Sequence, residues 1–151
     1  MREVKTISAD DARRGIATVR ATAERRDAAV VVAIVDAYGE LLALLRMDGA
    51  GPADIAPAIA KAFTAARLGQ TTRAIEAAAR NPKTGFDLAG FADARITGLV
   101  GGVPMTHDGE TVGAVGVSGA APDTEEALAE AGVAAMLAPY APAPAAAETE
   151  A

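Results

Sequence analysis

The sequence predicts an α+β domain: a roughly five-stranded antiparallel sheet with helices packed on it. Three observations carry that expectation. Asp108-Gly109 lies inside the stretch Gly101–Gly119, where glycine takes positive φ without steric cost and closes a tight hairpin. Asp36-Ala-Tyr-Gly39 supplies a second turn, between the apolar run Ala28–Val35 and the run Glu40–Arg46. The helical patterns fall outside these strand pairs instead of alternating with single strands, and strands joined by tight turns are antiparallel.

Each element has its own justification. Ser8 and Asp11 have capping-box spacing, and Ile16, Val19 and Ala23 recur on one face while Arg13, Arg14, Arg20, Glu24 and Arg25 fall elsewhere on the wheel. Residues 9–26 therefore read as an amphipathic helix with a solvated charged face. Ala28–Val35, AAVVVAIV, is short, apolar and β-branched, as a strand buried on both faces requires. Glu40–Arg46 returns beside it. After the glycine-rich loop Arg46–Pro52, Asp54 is expected to cap a helix reaching Leu68, with Pro57 in its first turn, where N–H groups lack partners anyway. Ile59, Ala62, Phe63 and Ala66 form its buried stripe, and Lys61 falls outside that stripe. Gly69 stops this helix, and Thr71 or Thr72 opens a short one through Ala79.

Residues 81–95 read as a loop in which exposed Phe86 and Phe91 point to a lid or a subunit contact. Ile96–Val100 is the fifth strand candidate. In the hairpin that follows, Gly113 and Gly116 mark a bulge or a close approach by other backbone or a ligand. Pro122-Asp123 starts a last helix, Thr124–Leu137, with Glu125 and Glu126 in its electropositive first turn. One domain thus spans residues 1–138, and the acidic Ala/Pro-rich tail 139–151 is expected to be disordered, with nothing to pack.

Composition narrows the function. A net charge of −6 offers no basic stripe for phosphates, which argues against nucleic acid. The absence of cysteine excludes disulfides, thiolate nucleophiles and cysteine zinc sites. No run approaches the roughly 18 apolar residues of a membrane span, and no signal-peptide pattern opens the chain, so the expectation is a cytoplasmic protein without a membrane partner. With three Phe, two Tyr and no Trp, the core must be built from small aliphatic side chains. Buried area borrowed from a homo-oligomer would compensate.

Among candidate site residues, His107 is the only histidine and stands beside the Asp108-Gly109 turn, either as an axial haem ligand or as a solvated hairpin tip. Tyr38 sits in a turn in the same way, and Met47 and Met105 are candidate contacts for an apolar ring or simply core fillers. Arg46 and Asp48 flank a strand end and Lys61 projects from the next helix, so the three are expected to share one mouth. There they would clamp a haem propionate or a small organic acid, or else form an ion pair fixing loop to helix. Asp36 is either a desolvated general base or the acceptor of its own turn's N–H groups. Gly101-Gly102 and Ser118-Gly119 form a possible anion cradle. No spacing demands a metal, and phosphate-loop and nucleophile-elbow patterns are absent.

Asp36-Ala-Tyr-Gly39, Arg46-Met-Asp-Gly-Ala50, Lys61-Ala-Phe-Thr-Ala-Ala66, Gly101-Gly-Val-Pro104 and Gly113-Ala-Val-Gly-Val-Ser-Gly119, in that order, resemble the GlcG/HbpS family, the haem-degrading or DUF336 domain. The likeness covers residues 5–137. It departs at Thr71, where many relatives have proline, and at Glu125, where an aspartate often opens the last helix. The resemblance implies a profilin-like α+β fold, assembly into octamers and, for some members, haem binding or breakdown. Two functions follow. The first is a haem-binding or haem-handling protein with His107 as axial candidate, its pocket at a subunit boundary between the Gly101–Gly119 hairpin and the Phe86–Phe91 loop, drawing on Arg46, Lys61, Gly102, Pro104 and Ser118. The second is a cofactor-independent isomerase or tautomerase of a small carboxylated or carbonyl metabolite, in which Lys61, Asp48 or Asp36 moves a proton while Arg46 and backbone N–H groups hold the enolate.

Overall fold

The capping box forms as its spacing predicts. The Asp11 N–H donates to Ser8 Oγ at 3.2 Å and the Ser8 N–H donates to Asp11 Oδ2 at 2.8 Å, which starts α1, Ala9–Arg25. The computed structural model describes residues 1–142. Both hairpins are present: β1, Val31–Asp36, with β2, Leu41–Arg46; and β3, Gly102–His107, with β4, Glu110–Ser118. Asp108 and Gly109 both take positive φ, 51° and 78°, the backbone that closes a two-residue hairpin. β1 and β4 pair antiparallel, giving one sheet in the order β2-β1-β4-β3. Lying between two strands and two helical layers, β1 is buried along five of its six residues.

Among the described residues the sheet has four strands, not five. Ile96–Val100 lies in no strand. The Thr64 hydroxyl donates to the Arg95 carbonyl at 3.1 Å and accepts the Thr97 N–H at 3.0 Å, so helix α2, Ile55–Leu68, meets polar groups that a neighbouring strand would otherwise have to satisfy. Asp54 ends a 3-10 turn, Pro52–Asp54, and caps nothing with its side chain; its carboxylate accepts the Ser118 hydroxyl at 3.1 Å. The short helix α3 is Thr72–Ala79, capped by Thr71, and α4 is Pro122–Leu137. The tail is not wholly without contacts: Ala138–Tyr140 form a 3-10 turn, and the Tyr140 hydroxyl donates to Asp11 at 2.9 Å. The rest of the tail expected to be disordered, residues 143–151, lies outside the described residues.

Apolar side chains divide between the two faces of the sheet. On one, Val32, Ile34, Val115 and Val117 pack with α1 and α4 through Val19, Leu128 and Met136. On the other, Val31, Ala33 and Ala114 meet α2 through Ala58, Ala62, Ala65 and Ala66. This second layer is thin for a definite reason. Gly102, Gly116 and Ala33 are successive cross-strand partners, and a Cβ on Gly116 would stand 2.1 Å from the Ala58 carbonyl oxygen. A Cβ on Gly102 would stand 2.4 Å from the Lys61 carbonyl oxygen. At Gly116, where a bulge or an approach by backbone or ligand is expected, the approach observed is helix backbone, and at Gly113 it is the Ile7 side chain and the Val35 carbonyl, each 2.8 Å from an added Cβ.

Seating α2 so low predicts that Gly116→Ala costs about 1–3 kcal/mol by overpacking. Gly90→Ala, with nothing within 4 Å of the added methyl, is expected to stay within about 0.5 kcal/mol of the parent. Urea denaturation of both variants checks the contrast.

Candidate functional site

The residues expected to form a cationic mouth are placed apart. α2 turns Lys61 inward, its side chain only 4% exposed, and Nζ donates to Glu125 Oε2 at 2.7 Å and to the Val117 carbonyl at 2.8 Å. Glu125 Oε1 accepts the N–H groups of Gly119 at 2.8 Å and Ala120 at 3.2 Å. The chain's own carboxylate therefore fills the anion cradle expected at Ser118-Gly119. Each charge is taken out of water beside an opposite charge and further hydrogen bonds, the condition under which a buried pair is tolerated. Gly102 donates its N–H to the Thr72 hydroxyl at 2.9 Å, and the Ser118 hydroxyl is taken by Asp54.

Arg46 and Asp48 are exposed and line a different groove, of about 440 Å³, with Arg20, Glu24 and Asp27. Among the described residues no hydrogen bond or ion pair joins either to Lys61. Asp36 is the turn acceptor: its Oδ1 takes the N–H groups of Tyr38 at 2.8 Å and Glu40 at 2.9 Å. Pro104 is half-buried on β3 opposite Ala114. Phe86 and Phe91 are exposed and meet edge to face at 5.9 Å. Phe86 borders a groove with Arg80, Leu88 and Leu99 that contains no hairpin residue, so a single chain does not form the pocket expected between hairpin and loop.

His107 borders a third groove. It ends β3, and the N-terminal segment runs alongside the hairpin because the Ile7 N–H donates to the Val112 carbonyl at 3.0 Å. Exposed Val4 supplies an apolar wall to a groove of about 450 Å³, and the buried Ile7, Met105 and Val112 lie beneath it. The rings of His107 and Tyr140 pack against each other there, tilted, with centroids 5.6 Å apart. Lys5, at its rim, pairs with Asp108 at 2.8 Å, which raises the ammonium's pKa and lowers the carboxyl's.

Asp11 sets the position of the tyrosine. Burial pushes its carboxyl up, but hydrogen bonds from the Ser8 N–H and hydroxyl, Tyr140 and Arg14 outweigh burial and hold it below the ordinary carboxylate range. The same hydrogen bond to Asp11, with desolvation, holds the Tyr140 phenol above its usual value. Sequence reasoning missed Tyr140 as a groove residue by assigning it to an inert tail; the available signal was one aromatic standing alone in an Ala/Pro run.

The family model described as "Haem degrading protein HbpS-like" matches residues 7–134. Protein GlcG of Escherichia coli strain K12 is 39% identical over 103 residues, 68% of this chain and 74% of that protein. Protein ORFY of Klebsiella pneumoniae, a DUF336 crystal structure, superposes with a TM-score of 0.85 at 30% identity, covering 91% of this chain and 95% of its own. PduOC, solved as a haem complex, superposes with a TM-score of 0.79 at 25% identity over 86% of this chain and 94% of its own.

Two outcomes follow from these geometries. Lys61→Ala, which strands Glu125 as an unpaired buried charge, is expected to cost about 3–5 kcal/mol in a denaturation experiment. Because Asp11 has a lowered native pKa, its contribution to stability is fully present above the ordinary aspartate range and is lost as pH falls through the native value. Urea midpoints recorded from neutral pH down to pH ~3 should therefore fall less steeply for Asp11→Asn than for the parent.

Proposed function

The chain belongs to the HbpS-like family, and on that footing we propose that it binds haem in the groove between the N-terminal segment and the β3–β4 hairpin, with His107 as the axial ligand. The observation that carries this reading is the placement of the only imidazole: His107 is 31% exposed on the wall of an otherwise largely apolar groove. The donor set fits the group. An imidazole is an ordinary iron ligand, and His107 Nε2, 3.4 Å from Asp108 Oδ2, would exchange that carboxylate for iron, while exposed Val4, above the buried Ile7, Met105 and Val112, suits the apolar face of a macrocycle. Lys5 would hold a propionate, exchanging Asp108 for it. Tyr140, committed to Asp11, bounds the ring instead of ligating iron. Bound haem would supply redox-active iron; the chain's residues bind it, orient it and limit water. The haem complex of PduOC supports the same direction.

In this reading the helix–sheet–helix sandwich is profilin-like and the protein works as a cytoplasmic homo-oligomer, up to the octamer the resemblance implies. The isomerase alternative draws less support, because Lys61 is committed to Glu125 and Asp48 lies in another groove.

Titration of haem into the purified protein is expected to give a saturable, shifted Soret band that His107→Ala weakens at least about tenfold, the loss of one axial ligand. Tyr140→Phe should retain it. The absence of a saturable band, or a band indifferent to His107→Ala, would overturn the assignment.

A further inference from the structure

We infer that β2 is the seam at which two copies of this chain join, edge to edge and antiparallel, merging their sheets into one. The inference is independent of the haem reading. It starts from the difference between the two edges of the sheet. β3, at one edge, carries Pro104, which has no N–H to offer an incoming strand, and that is a standard way of blunting an edge. β2, at the other, reads LLALLR, without proline and with its single charge at the end. Half of an edge strand's backbone N–H and C=O groups point away from its neighbour. Along β2 those groups are flanked by Leu41, Leu42 and Leu44, which are 48%, 40% and 37% exposed.

Cross-strand register shows why these leucines stay uncovered. Ala43 and Leu45 pair with Ile34 and Val32 and pack into the α1–α4 layer, so Leu44 and Arg46, opposite Ala33 and Val31, share the α2 side. α2 packs over β4, β1 and β3. Tyr38, exposed in the adjoining turn, extends the apolar surface.

Charge identifies the occupant as a second copy. Glu40 precedes the leucines and Arg46 follows them, and both are exposed. An antiparallel two-fold arrangement brings each arginine end beside the partner's glutamate end and sets leucine against leucine. Glu40 Oε1 meets Arg95 at 3.3 Å and Arg67 at 3.8 Å, contacts that leave Oε2 to an incoming guanidinium. A parallel pairing of the same strands would set like charges together.

The test uses the full chain. Light scattering after size exclusion is expected to show an even-numbered oligomer, and Leu44→Glu should weaken association by at least about tenfold, with far-UV circular dichroism unchanged, because a carboxylate is placed in an apolar seam. Since the chain has no cysteine, Leu44→Cys and Thr106→Cys each introduce a single thiol, one on each edge strand. A short bismaleimide should link the first into a covalent dimer and not the second. A monomeric wild type, an oligomer indifferent to Leu44→Glu, or equal cross-linking through Thr106→Cys would overturn the inference; the monomer would assign β2 to a strand of another protein.

Discussion

The backbone of α2 rests directly on Gly102 and Gly116, and much of the molecule is arranged to permit it. A helix this close leaves no room for large side chains beneath it, so its contact surface is alanine and the sheet answers with glycine and alanine. Dispersion contacts between closely spaced atoms replace the area that aromatic residues would have buried. The low seating also decides the fate of Lys61, whose side chain is carried into the interior and is tolerable there only because Glu125, the Val117 carbonyl and two backbone N–H groups complete a closed set of hydrogen bonds. A feature that looks in sequence like a ligand clamp is therefore a tie between α2, β4 and the first turn of α4.

Local chemistry made much of the fold legible. Ser8 with Asp11, the Asp36–Gly39 turn and Asp108-Gly109 each define their own backbone within a few residues, and the structure agrees at all three. The errors arose where a distant residue decides. Ile96–Val100 has the composition of a strand, but Thr64, more than thirty positions away, meets its backbone groups. Lys61 fell outside a stripe drawn on the assumption that α2 buries one face; residues 61–66 are in fact all buried, because the helix is covered on more than one side. Of the site, sequence alone could nominate His107 as the only imidazole. It could not bring Ile7 and Tyr140 to it, since those neighbours come from opposite ends of the chain.

Function follows by subtraction. Lys61, Glu125, Ser118, Asp54 and Asp36 all spend their polar atoms on architecture. His107 remains, its Nε2 3.4 Å from the exposed Asp108 carboxylate at the hairpin turn, and the exposed leucines of β2 lie on the opposite edge of the sheet. The proposed haem groove and the proposed seam draw their main residues, His107 and Leu44, from opposite edge strands of the sheet, so each is open to its own test.

Asp11 unites two duties in one carboxylate: it closes the start of α1 and anchors Tyr140 at the rim of the groove. Heating that frays the first turn of the helix should also loosen that wall, so the helix start and the rim of the groove ought to give way together. Inheritance is constrained in the same way, since a change at this position chosen for helix stability alters the shape of the opening as well.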